Sequence, residues 1–211
     1  MQMQKKLIVD YMLHVLVLKT NYILNMVSIV CENCPLRLFS REDKVCIKGY
    51  GNVFSKRIIV LPYVDKSAYK YGKLSSNEVI KKFEDVVDFP TGVLQDNHFI
   101  TSLIKCKETY KIDVTTEIIE RCVQHLHKEI VDMNIYQILL IGNASTSILG
   151  STIEYNVDKI HVINGRAYFS VYNPYIVEYN ANKATDVAKC FNRYLDAITT
   201  NNFSDYEIIY H

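Results

Sequence analysis

The chain has 211 residues, 49% hydrophobic and 22% charged, with a formal net charge of +1. That is enough sequence for one domain with a sizeable core, and the near-zero charge excludes a globally basic nucleic-acid binder. No run approaches the ~18 uninterrupted apolar residues of a membrane span, so no membrane partner is expected.

Residues 5–29 place Leu7, Ile8, Tyr11, Met12, Val15, Leu18, Tyr22, Ile23 and Met26 at spacings of three and four, which predicts an amphipathic helix. Lys5-Lys6 and the apolar run after them imitate a signal peptide. Asp10, His14 and Lys19 interrupt that run, and no small-residue cleavage site follows. The expectation is therefore a soluble intracellular protein, cytoplasmic, whose cysteines are metal ligands or thiols rather than disulfides. Residues 1–30 form the entry helix and residues 31–211 the main domain.

That helix is expected to end at the C-E-N-C-P segment, where Pro35 disfavours helix for Cys34 before it. A polar loop then leads through Gly49-Tyr50-Gly51 to R-I-I-V-L-P (57–62), a short buried strand closed by Pro62. A helix is predicted from about Ser76 to Val87, and a second strand over 98–106. Thr115 or Thr116 opens a helix to about Asp132, with Ile118, Ile119, Cys122, Leu126 and Ile130 on its apolar stripe. Y-Q-I-L-L-I-G (136–142) is continuously apolar and reads as a buried strand; Asn143–Leu149 reads as a short helix. K-I-H-V-I (159–163) and A-Y-F-S-V-Y (167–172) flank Asn164-Gly165, a favoured hairpin dipeptide. Thr185 is the expected cap of a closing helix.

Short apolar strands alternating with helices predict an α/β fold with a mostly parallel sheet. In such folds ligands bind beyond the carboxyl ends of the strands. That points to Pro62–Asp65, Ser102, Asn143 and Tyr172–Pro174. Asn143 opens a short helix whose first turn could receive a phosphate or a base carbonyl, though capping alone explains it equally well. His125 and His127 are two apart on a helix and do not share a face as paired ligands would.

From Cys31 to Lys73 the chain carries nine lysines and arginines against four acids, a local +5. Such a stretch either holds phosphates or is a solvated loop. Four cysteines carry the strongest signal. Cys31 and Cys34 form C-x2-C; Cys106 and Cys122 form C-x15-C, one at a strand end and one on a helix. Their spacing leaves open an iron–sulfur cluster, a zinc site, or unrelated core or redox thiols. Cys46 and Cys190 are left over, and Cys190 falls on an apolar helix stripe as a small core residue.

The segments C-E-N-C-P-L-R, R-I-I-V-L-P, F-I-T-S-L-I-K-C, T-x-E-I-I-x-x-C and Y-Q-I-L-L-I-G-N-A occur in this order between about residues 25 and 198. In order and spacing they resemble the iron–sulfur uracil-DNA glycosylases. The resemblance implies a three-layer α/β/α sandwich around a mostly parallel four-stranded sheet. It also implies a [4Fe-4S] cluster on Cys31, Cys34, Cys106 and Cys122, with zinc as the alternative, serving structure and DNA docking.

The same resemblance locates the pocket and its departures. The family's G-E-A-P-G loop matches Ile59–Tyr63, where only Pro62 is kept and Val60 replaces the acid. The family's H-P-S loop matches Asn173-Pro174-Tyr175, with Asn173 in place of the histidine. Ser102 replaces the base-reading asparagine. Asp65 could supply a displaced carboxylate and Asn173 a hydrogen bond, while Tyr63 or Tyr71 could stack on a base. One general acid/base contributes ~10²–10⁴ in rate and one oxyanion-type donor ~10²–10³.

The leading expectation is a diverged member that binds single- or double-stranded DNA, or a replication or repair protein, with little or no uracil excision. The alternatives are an active glycosylase with a rearranged pocket, acting on uracil or another altered base, and a protein-interaction module that does not bind nucleic acid.

Overall fold

The computed structural model describes residues 34, 36, 47–76, 78–88, 90, 92–107 and 114–211. The expected helix over 5–29, together with Cys31 and Cys46, lies outside the described residues.

Seven strands form one mixed sheet in the order β1-β3-β2-β4-β6-β5-β7. They are β1 (Tyr50–Gly51), β2 (Arg57–Val64), β3 (Phe99–Lys107), β4 (Gln137–Ile141), β5 (Lys159–Ile163), β6 (Arg166–Val171) and β7 (Glu207–Tyr210). The β3-β2-β4-β6 block is entirely parallel. The sheet is thus larger than the four strands expected, and the reason lies at its edges. Asn164 and Gly165 both have positive φ (51° and 72°), which makes the tight turn that folds β5 back antiparallel on β6. That leaves the outer edge of β5 open, and β7 covers it by parallel pairing. At the other edge β1 pairs antiparallel with β3.

Two apolar cores cover the two faces. Ile59, Leu61, Leu139, Ile141, Phe169 and Val171 pack on one side against α2 (Glu78–Val86) and α8 (Lys183–Thr200). Ile58, Val60, Leu103, Ile138 and Leu140 face the other side. There α4 (Thr116–Asp132) brings Ile118, Cys122, Leu126 and Ile130, while Ile119, also expected on the stripe, is half-buried outside that core. Shorter helices among the described residues are α1 (Lys66–Tyr71), α3 (Val93–Asn97), α5 (Asn143–Leu149), α6 (Ile153–Asn156) and α7 (Ile176–Tyr179).

Several predicted boundaries move for physical reasons. β2 runs through Pro62 to Val64, because β4 stops pairing at Val60↔Leu140 and a proline is tolerated where a strand becomes an edge. The helix expected from Ser76 begins at Glu78, after a 3-10 turn over Leu74–Ser76. The closing helix begins at Lys183 rather than after Thr185. Lys183 and Asp186 pair across its first turn at 2.8 Å. Thr115 does cap α4 through its side chain, which accepts from the Ile118 N–H. Among the described residues no helix is long and apolar enough to cross a membrane.

One buried histidine couples this fold to pH. His98, 1% exposed, donates from Nδ1 to the Leu94 carbonyl, so Nε2 accepts from the Tyr194 hydroxyl at 2.9 Å. Burial dominates its titration and lowers it from the ordinary 6.5 to about 4; the Leu94 carbonyl opposes this and Arg57 adds to it. The folded chain therefore holds His98 neutral, while the unfolded chain takes up a proton below 6.5. Stability should be flat above pH 6.5 and fall by about 3 kcal/mol as pH drops toward 4. Urea midpoints measured across that range check this, and His98→Gln should flatten the slope.

Candidate functional site

The parallel strands β2, β4 and β6 end on the same side, and the segments leaving them surround an open cleft of about 520 Å3. Tyr63 and Asp65 come from the end of β2, Gly142 and Asn143 from the end of β4, and Tyr172 and Asn173 from the end of β6. This is the location that strand direction predicts. The loops after β4 and β6 touch. Gly142 has φ 53° and donates its N–H to the Val171 carbonyl at 2.9 Å. A Cβ on Gly142 would stand 2.8 Å from the Cβ of Asn173, so only glycine permits the approach.

Asp65 is held at the centre of its loop. One carboxylate oxygen accepts from the Ala68 N–H at 2.7 Å and the other from the Glu78 N–H at 2.6 Å. A single side chain thus serves the first turns of both α1 and α2. Asn173 makes an Asx turn, its Oδ1 accepting from the Tyr175 N–H at 3.1 Å. Across the opening, the Tyr175 hydroxyl donates to Glu78 Oε2 at 3.4 Å, while Ser67 donates to Glu78 Oε1 at 2.5 Å. Glu178 pairs with Lys82 at 3.2 Å. Burial first, then the carboxylates of Glu78 and Asp65, push the Tyr175 hydroxyl up to about 12. Burial also raises Tyr172, against the opposing effect of Lys183, whose ammonium lies 5.2 Å from the ring centroid.

Of the residues singled out from sequence, Tyr63, Asp65, Asn143 and Asn173 line the cleft. Pro62 and Pro174 are buried behind it. Tyr71 is 58% exposed at the end of α1, with Lys70 Nζ 5.1 Å from its ring centroid, and is not among the lining residues. Ser102 sits opposite Leu61 within the sheet, fully buried. Its hydroxyl has no hydrogen-bond partner among the described residues. Val60 is packed in the core that α4 covers.

Sequence reasoning missed Ile153, Glu178 and Tyr179, which also line the cleft, and Glu78 beside it. A signal existed for part of this. Tyr172, Tyr175 and Tyr179 recur at three and four, the spacing of one helical face.

Cys34, Cys106 and Cys122 are buried, within one apolar cluster that includes Leu36. Soft thiols in dry surroundings are the donor chemistry that zinc and iron–sulfur clusters take. Among the described residues, no group of three or more His, Cys, Asp or Glu side chains is arranged to hold a metal ion. Burial keeps the Cys190 thiol high, as suits the core residue expected from its helix stripe.

No protein-family model matches the chain. The type-4 uracil-DNA glycosylase of Saccharolobus solfataricus is 22% identical to it over 189 residues, 82% of this chain and 86% of that protein. The similarity extends over most of both chains and supports a relationship to uracil-DNA glycosylases.

The double cap makes Asp65 a stability residue whatever else it does. Asp65→Ala should cost about 2 kcal/mol, roughly one for each cap lost, and Asp65→Asn about half as much because one acceptor remains. Thermal or urea unfolding of the three proteins checks the ordering.

Proposed function

We propose that this chain is a diverged, uracil-DNA-glycosylase-like protein that binds DNA and holds an extruded base in the cleft, with little or no excision of uracil. One observation carries the reading. Among the described residues no histidine lines the cleft, and each lining carboxylate is already engaged, Asp65 by two backbone N–H groups and Glu178 by Lys82. A glycosylase needs a group to activate water and a donor to stabilise the departing base. With both contributions lost, excision would slow by ~10⁴-fold or more.

DNA binding is supported by the surface beside the cleft. Lys66 and Lys70 on α1, Lys73 after it and Lys81 on α2 are all exposed. Three of them belong to the basic stretch noted in the sequence. Phosphates on these lysines would leave the cleft facing a base, and an extruded base is how such proteins reach their target. A replication or repair protein as a further partner fits the same reading.

We also assign a [4Fe-4S] cluster to Cys31, Cys34, Cys106 and Cys122, with zinc as the alternative. What supports this is the family's cysteine spacing together with the shared burial of the three described thiols. Such a cluster would supply a covalent tie between the segment at Cys34, the end of β3 and α4.

Two measurements test the proposal. Single- and double-stranded oligonucleotides containing uracil should be retained without being cut, and log K against log salt should slope at about −3 to −4 for four phosphate contacts. Excision at ordinary enzyme rates would instead favour the rearranged active site, in which Asp65→Asn and Asn173→Ala each abolish activity. Absence of salt-dependent retention would favour the protein-interaction reading. Purified protein should be brown, with broad visible absorbance lost in Cys34→Ala; a colourless protein carrying zinc refutes the iron–sulfur assignment.

A further inference from the structure

We propose, building on the base-binding reading above, that the cleft selects a base carrying a fixed positive charge, such as an N-alkylated adenine or cytosine, over neutral uracil.

The lining has the composition such a ring requires. Tyr63, Tyr172, Tyr175 and Tyr179 supply aromatic faces, Asp65 and Glu178 supply negative charge, and no Lys, Arg or His is among the lining residues. Aromatic faces attract cations through the ring quadrupole, most strongly when the cation is desolvated. The cleft's own chemistry displays this attraction, since the Lys183 ammonium lies over the Tyr172 ring. Its volume, about 520 Å3, falls within the ~300–1,000 Å3 of small-molecule sites.

The local field has the matching sign. After burial, the carboxylates of Glu78, Asp65 and Glu178 raise the Tyr175 hydroxyl. Lys82 offsets one of the three carboxylates through its pair with Glu178. Lys183, near Tyr172, is itself paired with Asp186 at 2.8 Å. The balance around the Tyr175 edge of the cleft is therefore negative.

Hydrogen-bond chemistry points the same way. Uracil presents two carbonyl oxygens and one N–H, so most of its edge is acceptor. Ionised carboxylates are acceptors only and would be set against those carbonyls, leaving the Asn143 and Asn173 amides and the tyrosine hydroxyls as the donors uracil could use. A base methylated at N1 of adenine or N3 of cytosine presents an exocyclic nitrogen that donates, and its positive charge is delocalised over the ring. Such a ring meets carboxylates with donors and tyrosines with a cationic face.

The full-length protein should be titrated calorimetrically at pH 7.5 with 1-methyladenosine, 3-methylcytidine, adenosine, cytidine, uridine and arginine methyl ester. The two methylated nucleosides should bind ~3–30-fold more tightly than their neutral parents and than uridine. Glu178→Gln should shrink that preference. Lys82→Met should enlarge it, by removing the cation that offsets Glu178, which a merely damaged fold would not do. Equal affinities for charged and neutral nucleosides, or tighter binding of uridine, overturn the proposal. Arginine methyl ester binding tightest also overturns it and assigns the cleft to a protein ligand's guanidinium. Failure here is separable from failure of the DNA-binding reading: retention of oligonucleotides without the nucleoside preference sinks this proposal alone. The preference without retention sinks the DNA reading alone.

Discussion

The structure depends on β2 being paired along both edges and buried on both faces. It bonds in parallel to β3 and to β4, and residues 58–62 are all buried. Parallel neighbours cannot be joined by a tight turn, so each connection has to cross the sheet and cover a face. That requirement sets α2 and α8 against one core and α4 against the other. It also makes β2, β4 and β6 all release their chain on the same side. The cleft is a consequence of this arrangement, since three consecutive crossover departures have nowhere else to converge.

The face that α4 covers contains a polar interaction that an apolar core would not need. Lys105 and Glu129 form an ion pair at 2.9 Å with side chains only 8% and 9% exposed, and Thr101 donates to the same carboxylate at 3.1 Å. Replacing such a pair with hydrocarbon is often neutral, whereas removing one partner commonly costs ~3–5 kcal/mol. Losing either partner alone should therefore cost more than replacing both. An α4 shifted by one turn would strand two buried charges. Because Cys106 follows Lys105 on β3 and Cys122 lies on α4, the pair sets the register of the two elements that carry those thiols.

The elements that were legible in sequence are those whose environment is uniform. Residues 58–61 and 138–141 are continuous apolar runs because doubly covered parallel strands need apolar side chains on both faces. Asn164-Gly165 was legible because the turn demands two positive φ angles that few residues accept. Thr115 was legible because a cap is local. The illegible features depend on distant partners. β7 is mostly exposed and exists as a strand through its pairing with β5, nearly fifty residues earlier. Asp65 reads as a solvated loop acid until Glu78, thirteen residues on, arrives to share it. Glu178 and Tyr179 belong to a four-residue helix without a buried stripe, so nothing periodic distinguished them.

Opposite charges meet beside the cleft, where Lys82 of α2 pairs with Glu178 at 3.2 Å. Screening at physiological salt decays over about 8 Å, so only charges within that range of one another act strongly together. The exposed lysines on α1 and α2 face water, where contacts to phosphate are individually weak and add by counterion release. The carboxylates line the cleft beside tyrosines and apolar side chains such as Val79 and Ile176, and the Glu178 side chain stays half exposed. In a pocket tuned to neutral uracil the inner walls would have to donate hydrogen bonds to carbonyls. Here the lining mixes amide and hydroxyl donors from Asn143, Asn173 and four tyrosines with the acceptor-only carboxylates of Asp65 and Glu178.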